Sequence, residues 1–211
     1  MRPVLVASSA LVLALPPLLA HAQQPGASPV QAAPSPRPTP LPQPRPHGMR
    51  VAVEVTAVEV DDGDTVVIRW SPQDVENVRL LGIDTPETRH VEHDIPYAQE
   101  FGEQARAFTR GAVAAATRIE LLRAARLDPF GRTLGYLFVN GRNHSVLIVG
   151  ARLAEESVTR YGDNGLPREA AEVLEAAKAA GPLPFEPPGL FRGRMRELSK
   201  WMKERGVYPE K

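Results

Sequence analysis

The sequence predicts an α+β fold: a five-stranded, partly closed β-barrel of the oligonucleotide-binding type with helices packed on it. Two observations carry this expectation. Three short β-rich segments are followed by one helical stretch, then two more β-rich segments, then helices. Turn-forming clusters, Asp61-Asp62-Gly63-Asp64, Asp128-Pro129-Phe130-Gly131 and Asn140-Gly141, separate or end the β-rich pieces.

The 211 residues suffice for one ordinary domain with appendages, and the ends of the chain are of different character. Residues 1–22 read as a cleavable secretory signal. Arg2 supplies the charge, Val4 to Ala20 is almost wholly apolar, Pro16-Pro17 break it, and Ala20-His21-Ala22 offers small residues for cleavage. The mature protein is therefore expected outside the cytoplasm, secreted or periplasmic, with no membrane span left after cleavage. Residues 23–48 hold nine prolines between Pro25 and Pro46 and read as a disordered, polyproline-like linker.

The folded domain is expected over residues 49–181. Val51, Val53 and Val55 alternate with Ala52, Glu54 and Thr56, the pattern of a half-buried strand. Thr65 to Trp70 completes a hairpin, and Asn77 to Ile83 is the third strand. From Tyr97 to Ala116, Phe101, Ala105, Phe108 and Ala112 recur at helical spacing. Arg118 to Leu122 and Thr133 to Asn140 are the last two strands, and Val146 to Leu153 reads as a short apolar helix. A further helix begins at Pro167, a favourable first-turn residue, and stops before Gly181-Pro182. Residues 182–211 form a basic, helical tail in which Phe191, Met195, Leu198 and Met202 share one face. That stripe admits a docked helix, a nucleic-acid clamp or a surface-binding segment, and docking is the expected outcome because apolar stripes find a core.

Charge and composition exclude several classes. There are 25 basic and 25 acidic residues and no cysteine, so disulfide frameworks, thiolate metal sites and cysteine nucleophiles are ruled out. Residues 49–188 hold 15 basic and 22 acidic side chains, a net of −7, whereas 189–211 hold seven and three, a net of +4. An acidic core of this kind is no non-specific nucleic-acid coat.

The chemistry concentrates in three clusters. Asp64, Asp84 and Glu87 lie at strand ends, where loops can turn them to one place. Converging carboxylates require a cation, and an all-oxygen set suits Ca²⁺ or Mg²⁺, with the Thr85 carbonyl as a further donor. Asp-Gly and Asp-Thr-Pro are also ordinary turn sequences. Arg79 sits inside an otherwise apolar strand, and Arg132 opens another. Two permanently charged guanidiniums beside a carboxylate-bound cation suit a phosphodiester, whose developing charge they would neutralise. Pairing with a local acid, Glu76 or Asp128, is the alternative for each. Glu87, three residues past Asp84, is the candidate base for an attacking water.

Val60-Asp61-Asp62-Gly63-Asp64-Thr65, then Arg79-Leu80-Leu81-Gly82-Ile83-Asp84-Thr85-Pro86-Glu87-Thr88, then Asp128-Pro129-Phe130-Gly131-Arg132 resemble the staphylococcal nuclease, or thermonuclease, family in order and spacing. The resemblance spans roughly Val51 to Ala180. It implies that Asp64 and Asp84, with the Thr85 carbonyl, bind Ca²⁺, that Arg79 and Arg132 bind phosphate, and that Glu87 activates water. It also implies cleavage of DNA and RNA to 3′-phosphates; a monomer is expected. A lysine and a tyrosine of the family are Pro129 and Phe130 here, and a family glycine is Arg152. Phe130 retains the capacity to stack on a base, and Tyr161 is the nearest match to the family's nucleotide-pocket tyrosines. His90 and His93, in a divergent loop, are expected to be solvated rather than metal-bound. Two other classes compete: a non-catalytic nucleic-acid or protein-binding barrel, and a small calcium-binding module, which leaves both arginines unexplained.

Overall fold

A computed structural model describes residues 41–210; the expected signal segment and most of the linker lie outside them. The first strand of the reading is two strands, β1 (Arg50–Val53) and β2 (Val58–Val60), parted by a 3₁₀ turn at Val55–Ala57. After the Asp61–Asp64 turn come β3 (Thr65–Ser71) and β4 (Asp74–Leu80). Gly82, at φ +79°, swings the chain out of the ladder, so Ile83–Asp84 is a separate short strand, β5, rather than the end of β4. Helix α1 (Gly102–Ala114) is shorter than the expected Tyr97–Ala116, because Phe101 takes a left-handed φ of 68° and blocks helix upstream.

The chain continues through β6 (Ile119–Leu127), β7 (Thr133–Val139) and β8 (Arg142–Asn143) into α2 (His144–Gly150). Asn143 caps α2 by accepting the Ser145 amide. Then follow β9 (Glu155–Glu156), α3 (Val158–Tyr161), α4 (Pro167–Ala180) and α5 (Pro188–Glu204).

The main sheet runs β1-β6-β7-β4-β3-β2, with β8 added to β7, and β5 pairs with β9 in a second small sheet. Its pairings are antiparallel except β4 with β7. Consecutive pieces of one chain stretch, β1 and β2, occupy opposite ends of the order. That is possible only if the sheet curls round on itself, which makes the half-barrel and supports the α+β, oligonucleotide-binding-type expectation. Inside it Val66, Ile68, Val78, Leu80, Ile119, Leu121 and Leu137 are essentially inaccessible, each worth roughly 1.5–3 kcal/mol of transfer free energy. Helix α2 packs against β7 on one side and α4 on the other, which buries Ile148 and Val149 and leaves Val146 and Leu147 half-buried. No helix among the described residues is long and apolar enough to cross a membrane.

Leu41 to Gly48, assigned to the linker by composition, runs alongside β6 in extended form. Gln43 and Gly48 donate to the Ala125 and Arg123 carbonyls, and Leu127 donates back to Leu41. Proline at Pro42, Pro44 and Pro46 is compatible with such an edge, where every second amide points away.

The barrel wall also holds a buried ion pair. Arg123 on β6 grips both oxygens of Glu76 on β4, at 2.7 and 2.8 Å. Trp70 and Thr133 donate to the same carboxylate, each at 2.7 Å. Burial pushes the Glu76 carboxyl upward, but these hydrogen bonds outweigh it and hold the group below the usual glutamate value. Glu76→Ala should cost about 3–5 kcal/mol in urea unfolding, because Arg123 would stay buried without a counter-charge. Glu59→Ala, which breaks the exposed Glu59–Arg69 pair, should leave the urea midpoint almost unchanged. Equal effects would show that Arg123 finds another partner.

Candidate active site

The Asp61–Asp64 turn is built to aim one side chain inward. The Asp62 carboxylate accepts the Asp64 amide at 2.9 Å, and Gly63 sits so close to Thr85 that a Cβ there would meet its side chain at 2.7 Å. Asp64 is thereby turned into the protein, 1% exposed. Its Oδ2 accepts the Thr85 amide at 2.8 Å, and its Oδ1 accepts from Arg79.

Arg79 lies opposite Thr65 in the β3–β4 ladder, which places it beside that turn. Its Nη1 donates to Asp64 and its Nη2 to Asp84, the latter at 2.9 Å. Arg79, the one cation of β4, is thus the bridge between the two aspartates; Glu76 on the same strand, the alternative partner, is committed to Arg123. Asp84, 4% exposed, is carried by β5. Burial pushes its carboxyl up, but hydrogen bonds and charge from Arg192 and Arg79 prevail and hold it below the usual aspartate range.

Glu87 follows after Thr85 and Pro86. Its backbone is pinned between both groups of Gln99: the Glu87 carbonyl accepts the Gln99 amide at 2.8 Å, and the Glu87 amide donates to Gln99 Oε1 at 3.2 Å. Gly102, at the start of α1, packs so tightly here that a Cβ would lie 2.2 Å from the Glu87 carbonyl oxygen. Only glycine allows α1 to come this near.

Asp64, Arg79, Asp84, Thr85 and Glu87 therefore share one end of the barrel. Arg132 immediately precedes β7, whose Leu134 is level with Arg79 across the parallel β4–β7 pairing. Its Nε donates to Asp128 at 2.6 Å, and the other Asp128 oxygen accepts the Phe130 and Arg132 amides, closing the turn. Phe130 and Tyr161 are open to solvent, 84% and 61% exposed, each beside an arginine, Arg132 and Arg160 respectively. His90 shares a short bond with Thr88, and His93 lies in the same loop.

Three residues of this region carried no signal strong enough to single them out in sequence. Arg192 on α5 grips Asp84 with two nitrogens, at 3.0 and 2.7 Å, and also donates to Glu87. Glu155 on β9 stands opposite Asp84, and burial, then the Asp84 charge, pushes its carboxyl up. Gln99 holds the Glu87 backbone. Only Arg192 had a visible clue, its place next to Phe191 at the head of the apolar stripe.

The site presents Asp64, Asp84 and Glu87 against Arg79 and Arg192, so acidic oxygens face guanidinium nitrogens rather than one another. Accordingly, no three His, Asp or Glu side chains among the described residues are grouped as a cation cage. The donor chemistry nonetheless fits a hard divalent cation: two buried carboxylates and a backbone carbonyl on neighbouring elements, all oxygen.

A buried histidine supports the turn from behind. The Thr109 hydroxyl donates to the Gly63 carbonyl at 2.8 Å, so it must accept from His144 Nε2, 3.0 Å away. Burial pushes the His144 pKa down to about 4. An unfolded histidine titrates near 6.5, so the unfolded chain takes the proton first and stability falls as pH drops from about 6.5 to 4. The loss should approach about 1.4 kcal/mol per pH unit in that window. Urea midpoints of the wild type and His144→Gln across pH 7 to 4.5 would check it, the variant being expected to show a shallower slope; parallel slopes would refute it.

A sequence model of the family described as "Staphylococcal nuclease homologue" matches residues 77–181. The thermonuclease of Staphylococcus intermedius is 38% identical over 102 residues, which is 48% of this chain and 55% of that protein. The SPbeta prophage-derived endonuclease YokF of Bacillus subtilis is 32% identical over 117 residues, 53% of this chain and 38% of that one. The thermonuclease of Staphylococcus hyicus is 32% identical over 104 residues, 49% and 56% respectively. The chain thus spans about half the length, or less, of these curated relatives. With the curled sheet and with the three sequence clusters carried on its loops and strand ends, the match places the chain in the staphylococcal nuclease family.

Proposed function

We propose that this protein is an exported, Ca²⁺-dependent nuclease that cleaves DNA and RNA and leaves 3′-phosphates. One observation carries the reading: Asp64, Arg79, Asp84 and Glu87, from separate turns and strands, are joined at one end of the barrel by hydrogen bonds, Glu87 through Arg192 of α5. The relatives named thermonuclease and endonuclease point the same way. A binding-only barrel would have no use for carboxylates, guanidiniums and a pinned glutamate in one place.

Asp64, Asp84 and the Thr85 carbonyl would hold the calcium, which supplies positive charge to a phosphoryl oxygen and draws electrons from phosphorus. Glu87 is positioned by Gln99 and Gly102 to take a proton from the attacking water at a carboxylate oxygen. As the water oxygen bonds to phosphorus, the bond to the 5′ oxygen breaks and that oxygen takes a proton from solvent, which yields a 5′-hydroxyl and a 3′-phosphate. Arg79 and Arg132 neutralise the charge that accumulates on the non-bridging oxygens. Phe130 and Tyr161 offer exposed ring faces on which bases can stack. The net charge of −7 on residues 49–188 opposes encounter with a polyanion, so these local cations have to overcome a repulsive background.

The purified protein should degrade DNA and RNA with Ca²⁺ and cease with chelator. Glu87→Gln should lower kcat by roughly 10²–10⁴ with little change in stability. Turnover that survives chelation, or no turnover with ample calcium, would defeat the reading. Export with cleavage predicts that protein recovered outside the cytoplasm begins at Gln23; a retained Met1 would refute that part.

A further inference from the structure

The tail helix is held by contacts that do not involve its arginine at the site. Phe191 and Met202 are buried, Ser199 donates to the Asp94 carbonyl at 2.9 Å, and Lys203 pairs with the Asp94 carboxylate. Beyond the helix, Tyr208 donates to the Val91 carbonyl at 2.7 Å, and before it Gln99 donates to the Glu186 carbonyl at 2.8 Å. Arg192 therefore reaches the carboxylates from a platform anchored at both ends.

Asp84 Oδ1 accepts from both Arg79 and Arg192, and Oδ2 accepts a second Arg192 nitrogen. A carboxylate oxygen has about two acceptor directions, so three of the four on Asp84 are occupied by guanidinium. A divalent cation ligated by Asp84 would sit against that fixed positive charge, and the two species cannot both be fully engaged there. Once loosened, a planar guanidinium fork beside the site is a good match for a phosphodiester, which it can grip with two donors.

We propose that Arg192 is a third substrate-binding arginine of the site, delivered by α5, which competes with the divalent cation for Asp84 and Glu87 and transfers its donors to the substrate phosphodiester. The inference rests on the nuclease reading and adds a binding residue from outside the segment matched to the family, residues 77–181. It also gives the basic tail a defined role at the reaction centre, where a flexible tether would give it a role in capture alone.

The test uses Arg192→Gln and Arg192→Lys in the full chain, with Ca²⁺ binding followed by calorimetry. Binding of a phosphorothioate-linked oligonucleotide in saturating Ca²⁺ is followed by fluorescence anisotropy. Arg192→Gln should bind Ca²⁺ about tenfold more tightly and the oligonucleotide about tenfold more weakly, the size of one charge-assisted contact. Arg192→Lys, which keeps the charge but loses the fork, should lie between wild type and Arg192→Gln in both. Calcium affinity that is unchanged or weaker, or oligonucleotide affinity that is unchanged or tighter, overturns the proposal while leaving the nuclease reading intact. Failure of wild type and variants alike to bind Ca²⁺ overturns the calcium reading and this inference together. Thermal midpoints within a few degrees of wild type confirm that α5 remains docked; if Arg192→Gln does not fold, the same comparison is decided by Arg192→Lys.

Discussion

Two aspartates buried side by side repel each other, and the Arg79 guanidinium between them is the constraint on which this end of the molecule depends. Asp64 and Asp84 are each less than 5% exposed, so water cannot screen their charges. Without the bridge, one would have to take up a proton or the β3–β4 end would have to open. The turn at Gly63, the breakout of the chain at Gly82 and the pairing of β5 with β9 all bring a carboxylate to that one cation. Under the proposed reading, the groups that neutralise the buried aspartates are also those that would meet a phosphodiester.

The molecule contains two kinds of arginine–carboxylate contact, and their surroundings separate them. Arg123 and Glu76 are enclosed in the barrel wall, and Trp70 and Thr133 satisfy the rest of the carboxylate. Nothing can exchange with that pair without opening the fold. Arg79 and Arg192, about a fifth exposed, lie at the barrel end with solvent on one side. Solvent on that side puts their donors within reach of a ligand oxygen, as those of the enclosed Arg123 are not.

Charge is distributed to the same effect. Residues 49–188 are acidic overall, at −7, while 189–211, which hold most of α5, carry a net of +4. A polyanion is therefore repelled by most of the surface and attracted by a limited part of it. Under the proposed reading, capture of such a ligand would depend on local contacts more than on bulk potential.

Much of the site was legible in the chain itself. Asp64, Asp84 and Glu87 stand at turns whose residues, Gly63 and Pro86 among them, mark strand ends, and Arg79 is conspicuous because an apolar strand has no place for an unpaired charge. The strands and the long helices were readable from periods of two and of three to four, since each has one face on the core. What sequence could not supply depended on distant partners. That Leu41–Gly48 lies along β6, that the first strand breaks to close the barrel, and that Glu155 stands against Asp84 are all matters of register between remote segments. The spacing of the tail showed a helix with an apolar stripe, but only packing set its rotation and so aimed Arg192 at Asp84. Local chemistry determines which residues can act and which elements they ride on, because those depend on neighbours a few positions away. Which charges meet is decided by the tertiary fold, because a Coulomb contact depends on distance in space and is indifferent to distance along the chain.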